Sequence, residues 1–420
     1  MAQLSQSGTS TKVNGEIRIL TLIGTGHLMS HFYNLTLPLL ITFLAADYGY
    51  NPAQLGVFIA AFAISAAAAQ LPVGFLVDRI GARAILFSGL ALEALSVGAM
   101  AFADSYSMLV MLAISAGLGH SVFHPADYAI MNSSIDESRI GRAFSMHSVT
   151  GKAGSALAPI TITFLAALWD WKIALIAVSG FGLLTALAVA SQAHILKDHV
   201  ARKKKSEKAI KRRPVRSAKA NIRLLMTPSV LVLFAFFLVT TMVVSGIQAF
   251  GIFTLIELHS VSKTTASTAL TAFLIASAFG IIVGGWLADK TARHGLIATI
   301  SFLATAVLLV VIGEINMPVF ALLAAFAGIG ILQGLVNPAR DMMVRAAMPP
   351  GTAGTIFAFM STGRLIGSAI TPVIVGLLIT NDMTDKVFMM LAACSVIGLA
   401  TLFMPHKPAE DLKDRINDET

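Results

Sequence analysis

Apolar runs long enough to cross a membrane follow one another along almost the whole chain. One helical span of the bilayer core needs roughly 20 apolar residues, and the 420 residues contain about twelve such runs separated by short polar turns. Only 12% of the residues are charged, whereas soluble domains carry about 25%. This composition excludes a soluble enzyme, a nucleic-acid-binding protein and a disordered chain. It predicts an all-α protein that crosses the membrane many times.

The apolar runs form two sets of six. The predicted spans lie near residues 18–44, 53–77, 84–103, 107–132, 142–168 and 172–195, and then near 228–256, 264–288, 296–314, 318–346, 353–380 and 386–404. We therefore predict four regions along the chain. They are an N-terminal six-helix half at 1–196, a basic linker at 197–226, a C-terminal six-helix half at 227–404 and a tail at 405–420.

Positive charge predicts the orientation of the chain. Twelve of the thirty Lys and Arg residues lie between residues 197 and 223, and most of the others lie in turns on the same side as this segment. Because loops rich in Lys and Arg stay in the cytoplasm, we expect both termini, the linker and the tail there. The 197–223 segment is predicted to be a solvated linker resting on anionic lipid headgroups, and a regulatory docking site is the alternative. No nucleic-acid partner is expected.

The two sets of spans repeat each other at a nearly constant offset. An offset of 211 residues pairs Asp78 with Asp289, and an offset of 213 pairs Gly117 with Gly330. Further pairs at 213 are Pro125 with Pro338, Gly141 with Gly354, Phe144 with Phe357, Ser148 with Ser361, Gly154 with Gly367 and Pro159 with Pro372. An even number of spans in each half gives both repeats the same orientation. This is the arrangement of transporters whose halves rock around a central site.

The turn between spans two and three carries a motif, GFLVDRIGAR at residues 74–83. It resembles the signature of the major facilitator superfamily, and Val77 and Ala82 are the two positions that depart from it. The resemblance implies two six-helix halves related by a pseudo-two-fold axis along the membrane normal, and transport by alternating access. It also implies a cytoplasmic gate in which acidic and basic side chains lock neighbouring helix ends. The gate residues it implies are Asp78, Arg79, Arg83 and, in the repeat, Asp289. A purely topological role for the two arginines is the alternative.

Three further segments narrow the resemblance. GHLMSHFYNLTLP in span one, and FHPADYAIMNSS and GRAFSMHSVTGKAGSALAP in spans four and five, are similar to the fosmidomycin-resistance and related bacterial exporter branches. The resemblance places the chain in a bacterial inner membrane and implies no substrate.

Polar side chains form stripes on two predicted spans. His27, His31 and Asn34 are spaced four and three residues apart in span one, so they project from one helix face. His120, His124 and Asp127 have the same spacing in span four, so they also project from one helix face. Two such stripes predict a shared aqueous cavity. For a single histidine, an interior residue that bonds a neighbouring carbonyl group is the competing interpretation.

The charges at membrane depth predict the sign of the solute. Lys152, Arg340 and Arg364 stand against Asp127, with Asp341 undecided, which favours a small anionic organic solute. The predicted substrate-binding residues are His31, Asn34, His124, Lys152, Arg340 and Arg364. The alternative is structural, with Asp127 paired to Lys152 or to Arg340 to hold the halves closed.

Protons are the predicted coupling ion. Histidine titrates near neutral pH, and burial moves a carboxylic acid toward the same range. The predicted proton carriers are His27, His31, His124 and Asp127. Glu93, in span three, ranks below Asp127 because outer spans of the family usually face lipid or support the core.

The competing functions predict different chemistry. A multidrug exporter of lipophilic or cationic compounds would use Asp127 as its cation site and depend little on Arg340 or Arg364. A membrane receptor or assembly factor on the same fold is a distant alternative. We expect no enzyme activity, no cofactor and no metal site, since a third carboxylate or thiolate ligand is missing beside the histidine pairs and there is one cysteine. No GxxxxGK[ST] motif is present, which argues against ATP as the energy source. A monomer is expected.

Overall fold

The computed structural model describes residues 2–136, 139–196, 225–291, 293–347 and 353–402, and every regular element in these ranges is helical. In chain order the α-helices are α1 Ala2–Tyr48, α2 Pro52–Ile80, α3 Ala82–Ala99, α4 Tyr106–His120, α5 Phe123–Ser134, α6 Ile140–Leu168, α7 Trp171–Ser191, α8 Pro228–His259, α9 Lys263–Lys290, α10 His294–Glu314, α11 Val319–Ala347, α12 Ala353–Thr380 and α13 Lys386–Leu402. Short 3-10 helices follow α3 at Met100–Phe102 and α7 at Ala193–Ile195. The basic segment 197–223 and the predicted tail lie outside the described residues.

The described helices account for all the predicted spans. Eleven segments are long and apolar enough to cross a bilayer, with α4 and α5 together forming one of them, and Lys386–Thr401 is a shorter apolar helix. The predicted all-α, multi-pass membrane fold is therefore confirmed.

Side-chain caps set several helix starts. The hydroxyl of Ser105 accepts a hydrogen bond from the backbone N–H of Met108 where α4 begins, and Asp170 accepts one from the backbone N–H of Lys172 at the start of α7. The first N–H groups of a helix have no partner within it, and such oxygens satisfy them. These polar residues therefore end the preceding loops and begin the next spans.

The fourth span is broken at its middle, whereas the sequence predicted one run at 107–132. α4 ends at His120, α5 begins at Phe123, and a turn of two residues separates them. Pro125 lies in the first turn of α5 and has no N–H to donate to the carbonyl group of Ser121, so a regular helical hydrogen bond is missing at this point. The break falls between His120 and His124.

The chain divides into two compact units: residues 1–40 with 61–213, and residues 41–60 with 214–420. The predicted halves differed by the segment 41–60, which was expected in the first. This segment joins the second unit because it packs on α12. The backbone N–H of Ala53 donates to the hydroxyl of Thr380 over 2.9 Å, and a Cβ on Gly56 would meet the carbonyl group of Pro372.

Glycines at repeat positions make equivalent close contacts in each unit. A Cβ on Gly117 would meet the carbonyl oxygen of Phe62, and a Cβ on Gly330 would meet the carbonyl oxygen of Phe273. Phe62 and Phe273 are themselves 211 residues apart. Bare backbone at these points lets two helices approach within van der Waals contact, as small residues do in membrane bundles. The repeat seen in the sequence is therefore a repeat of helix packing.

An apolar core lies inside the second unit. Phe236 of α8 meets Phe302 of α10 edge to face, with ring centroids 5.6 Å apart. The buried members of this core are Val230, Leu233, Phe236, Phe237, Ala298, Phe302, Val336 and Met360. The interior of the first unit combines buried apolar residues such as Leu90 and Phe123 with the buried polar residues His27, Glu93, Asp127 and His147.

Candidate functional site

α6 approaches α1 closely because it presents two glycines to that helix. A Cβ on Gly154 would meet the carbonyl oxygen of Leu28, and a Cβ on Gly151 would lie 2.7 Å from Cε1 of His27 and 2.9 Å from Cδ2 of His31. Neither position has room for a side chain. The glycines therefore give the two α1 imidazoles the space they occupy.

Five imidazole rings converge inside the first unit. The rings of His27 and His31 have centroids 4.6 Å apart. The centroid of His27 lies 5.6 Å from that of His124, and the centroid of His31 lies 6.1 Å from that of His120. The polar stripes predicted on spans one and four therefore face each other. We call the five residues the imidazole cluster: His27, His31, His120, His124 and His147.

His147 joins the cluster from α6. Its ring stacks on the ring of His27, with centroids 3.7 Å apart and an angle of 16° between the planes. Nδ1 of His27 lies 2.9 Å from the backbone carbonyl oxygen of His147. A carbonyl oxygen only accepts hydrogen bonds, so Nδ1 of His27 carries the proton, and in the neutral ring Nε2 keeps its lone pair. The contact thus fixes which nitrogen of His27 faces the cluster.

Asp127 is fully buried beside the cluster. Its Oδ2 atom lies 3.4 Å from Nε2 of His147, and neither side chain is more than 2% exposed. The sequence suggested Lys152 or Arg340 as its partner, and the residue that the structure places at the carboxylate is His147. The side chain of Lys152 is exposed on α6. The side chain of Arg340 lies outside the described part of the structure.

Glu93 is a second fully buried carboxylate, and the sequence ranked it too low to join the predicted site. Oε1 of Glu93, on α3, lies 3.1 Å from Nδ1 of His120. α3 comes this close because Gly119 has no side chain, and a Cβ there would lie 2.6 Å from the backbone nitrogen of Glu93. An acid inside a membrane span is costly and is by default a functional candidate. That cost was the signal in the sequence that could have identified it.

Two other predicted substrate-binding residues, Asn34 and Arg364, are exposed. Asn34 is one turn beyond His31 on α1, and Arg364 is on α12. The cluster and the adjacent Asp127 therefore bring together all four predicted proton carriers, and two of the predicted substrate-binding residues, His31 and His124, belong to the cluster.

The predicted gate residues are only partly described. Arg79 is exposed near the end of α2. Nη1 of Arg83 donates a hydrogen bond over 3.1 Å to the carbonyl oxygen of Ala193, just beyond the end of α7. The side chains of Asp78 and Asp289 lie outside the described part of the structure. Their roles in gating stay predictions.

Three members of the cluster could hold a metal ion. His27, His124 and His147 each offer one ring nitrogen, and these three atoms lie within 4.8 Å of one another. A metal site was not expected from the sequence, because the histidine pairs of single helices lack a third carboxylate or thiolate ligand at ligand spacing. The group instead draws one residue each from α1, α5 and α6.

Comparison with known proteins identifies the family of this chain. A family model described as Major Facilitator Superfamily matches residues 23–259 and 244–419. The chain belongs to the Major Facilitator Superfamily. Among solved structures, a bacterial homolog of the human lysosomal transporter Spinster, in an inward-facing and occupied conformation, superposes with a TM-score of 0.73. It is 15% identical, and the match covers 94% of this chain and 97% of that one.

Two curated members of the superfamily match over nearly their full lengths. The fosmidomycin resistance protein of Escherichia coli (strain K12) is 25% identical over 96% of this chain and 97% of that protein. A probable nitrate/nitrite transporter, NarK2, of Mycobacterium tuberculosis (strain ATCC 25618 / H37Rv) is 24% identical over 91% of this chain and 95% of that protein. The predicted superfamily and its fosmidomycin-resistance branch are confirmed as relatives.

Proposed function

We propose that this member of the superfamily is a proton-coupled secondary transporter that moves a small anionic organic solute across the bacterial inner membrane by alternating access. The observation that carries the proposal is the burial of Asp127 and Glu93, two acids without solvent exposure, among five imidazoles on membrane-spanning helices. We propose that both termini face the cytoplasm and that the 197–223 segment rests on anionic headgroups.

The pair formed by Asp127 and His147 supports protons as the coupling ion. An isolated carboxylate is costly to bury, so the pair is stable when the acid is protonated or when His147 takes the proton. Moving a proton into or out of the pair therefore changes the free energy of the surrounding helix packing. That change is what coupling requires, because a ligand can shift a conformational equilibrium only by binding one state more tightly.

Cations at membrane depth support an anionic solute. The side chains of Lys152 on α6 and Arg364 on α12 are both exposed in the structure. An arginine guanidinium binds carboxylate, phosphonate or nitrate oxygens through two parallel hydrogen bonds. Lys152, Arg340 and Arg364 are the proposed solute-binding cations. His31, Asn34 and His124 are the proposed polar ligands. The relative named as a probable nitrate/nitrite transporter also has anions as its named substrates.

A panel of solutes tests the charge of the substrate. The thermal stability of the detergent-purified protein is measured with nitrate, methylphosphonate, lactate, tetraphenylphosphonium and mannitol. A ligand present at 100 times its Kd stabilises the folded state by about 2.7 kcal/mol. We expect at least one anion to stabilise the wild type and to lose its effect in Arg364→Ala. Stabilisation by tetraphenylphosphonium alone, lost in Asp127→Asn, would replace the proposal with a multidrug exporter.

Proteoliposomes test the coupling ion. Uptake of the stabilising anion is compared with and without an imposed pH gradient, in the wild type and in Asp127→Asn. We expect the rate of gradient-driven uptake to fall at least tenfold in Asp127→Asn, because the amide cannot carry the proton. Solute counterflow, which needs no proton, should continue. Asp104→Asn, which changes an exposed acid between α3 and α4, is the matched control and keeps both rates. Gradient-driven uptake that survives in Asp127→Asn would rule out this site as the coupling site.

A further inference from the structure

We propose that His27, His124 and His147 form a binding site for one divalent transition-metal ion of the zinc, cobalt or nickel type. The three residues come from three different helices, and their nitrogen atoms lie within 4.8 Å of one another. Neutral imidazole is a common ligand of these ions, and three protein ligands leave one position open for water or an anion. The proposal stands independently of proton coupling.

The nitrogen atoms that would bind the ion are identifiable. Nδ1 of His27 is used by the carbonyl group of His147, while Nε2 of His27 is buried without a hydrogen bond. Both ring nitrogens of His147 are also buried without a hydrogen bond. Buried polar atoms in native proteins nearly always have a partner, so each exception needs an explanation. A bound ion would explain the unsatisfied ring nitrogens of both His27 and His147.

One of the three rings has a contact of the kind found in the second shell of a metal site. A metal-binding histidine usually donates its other N–H group to a carboxylate or a backbone carbonyl group. His27 has such a contact to the carbonyl oxygen of His147. Nε2 of His147 lies 3.4 Å from Oδ2 of Asp127, and neither atom has a hydrogen-bond partner, so the carboxylate lies beside the ring without fixing its orientation.

The three nitrogen atoms are not yet at the spacing that a bound ion requires. Zinc–nitrogen bonds of about 2.0–2.1 Å place tetrahedral ligands about 3.4 Å apart. The three nitrogen atoms, which lie within 4.8 Å of one another, must come closer, and the stacked rings of His27 and His147 must rotate so that both point at one ion.

Cobalt(II) is the probe for the test, because its visible absorption reports coordination directly. The full chain is purified without a polyhistidine tag, titrated with Co²⁺ and then with Zn²⁺. We expect one Co²⁺ per chain with visible bands, displacement by Zn²⁺, and loss of the bands in His27→Ala, His124→Ala and His147→Ala. His31→Ala, in the same cluster, and His259→Ala, whose ring bonds the carbonyl group of Ile312, are matched controls that keep the bands.

Three results would overturn the proposal: no bound Co²⁺, bands that persist in any of the three variants, or equal loss in the controls. If the variants fail to fold, X-ray absorption spectroscopy of the wild-type protein with bound Zn²⁺ tests the site without them. About three imidazole nitrogens at 2.0–2.1 Å are expected, and a shell of oxygen alone contradicts the site. The metal measurements need no transport, so their failure leaves the Asp127→Asn test unaffected, and the reverse also holds.

Discussion

The two units share one pattern of helix packing but differ in the chemistry of their interiors. At repeat positions offset by 213 residues, His120, His124 and His147 of the first unit correspond to Gln333, Asn337 and Met360 of the second. Where Glu93 meets His120 over 3.1 Å, the second unit has a neutral hydrogen bond of 3.5 Å from Gln333 to Thr305. Both units therefore have a polar contact at this place. At these three positions the imidazole group, which can carry a proton or bind a metal, is present in the first unit and replaced in the second.

This difference separates the scaffold from the function. A duplicated six-helix unit needs the same backbone contacts twice, and those contacts depend on small residues. A coupling site is needed once. Each half is therefore free to change its interior polar groups as long as its glycine contacts remain, and the predictions below test the two parts of this statement separately.

The largest effect is expected at the shared glycine contacts. A Cβ on Gly154 would meet the carbonyl group of Leu28, and one on Gly367 would lie 2.5 Å from that of Leu238. Gly154→Leu and Gly367→Leu should each cost at least about 3 kcal/mol, because backbone atoms cannot move aside as a side chain can. The measurement is the fraction of monodisperse protein after size-exclusion chromatography. Gly180→Leu, where the structure leaves open space, is the control and should remain monodisperse.

If Gly154→Leu and Gly367→Leu lost clearly different fractions of monodisperse protein, the two helix crossings would not be equivalent and the two units would not share one packing pattern.

An intermediate effect is expected when the chemistry of the first unit is replaced by that of the second. His147→Met introduces the residue found at Met360. Methionine fills a buried space but takes no proton, so gradient-driven uptake should fall at least tenfold, equivalent to about 1.4 kcal/mol, with little change in thermal stability. His259→Met, in the second unit, should keep the rate. Normal coupling in His147→Met would show that the stacked ring has a packing role only.

The smallest effect is expected at the polar contact between Gln333 and Thr305 in the second unit, and it is compared with the contact between Glu93 and His120 at the corresponding place in the first unit. Glu93→Ala leaves the ring nitrogen of His120 without its partner and should destabilise the protein by about 1–3 kcal/mol. Thr305→Ala removes a long neutral hydrogen bond and should cost less than about 1 kcal/mol. The shift in thermal unfolding in detergent measures both. Equal shifts would mean that the contact between Glu93 and His120 contributes no more stability than its neutral counterpart.

Much of the fold could be predicted from the sequence because it follows from local patterns. Apolar runs of span length located the helices, and the repeat at 211–213 residues identified the glycines that pack in both units. The stripes on α1 and on α4 and α5 followed from spacings of four and three residues. The break after His120 was missed, although Pro125 marks it, because hydropathy does not register a missing N–H group.

Contacts between distant helices could not be predicted in this way. His147 is a single histidine on α6, and its stacking on His27 depends on the closeness that Gly151 allows. Periodicity describes one helix at a time and contains no information on such pairs. Glu93 was ranked low by its position in an outer span, although α3 is packed tightly enough to bury it completely. The metal group, with one residue on each of three helices, is beyond any single-helix pattern.

The contact between Glu93 and His120 also has a consequence for biosynthesis. A span that contains His120, His124 and Asp127 is a poor substrate for insertion, since a single Asp at the centre of a helix costs about 2.5–3.5 kcal/mol. Glu93 precedes this span in the chain, so α3 has already left the ribosome when α4 emerges. Because the folded protein pairs Glu93 with His120, we expect the earlier helix to offer the newer one a polar partner during insertion and to assist the entry of a segment that would enter poorly alone.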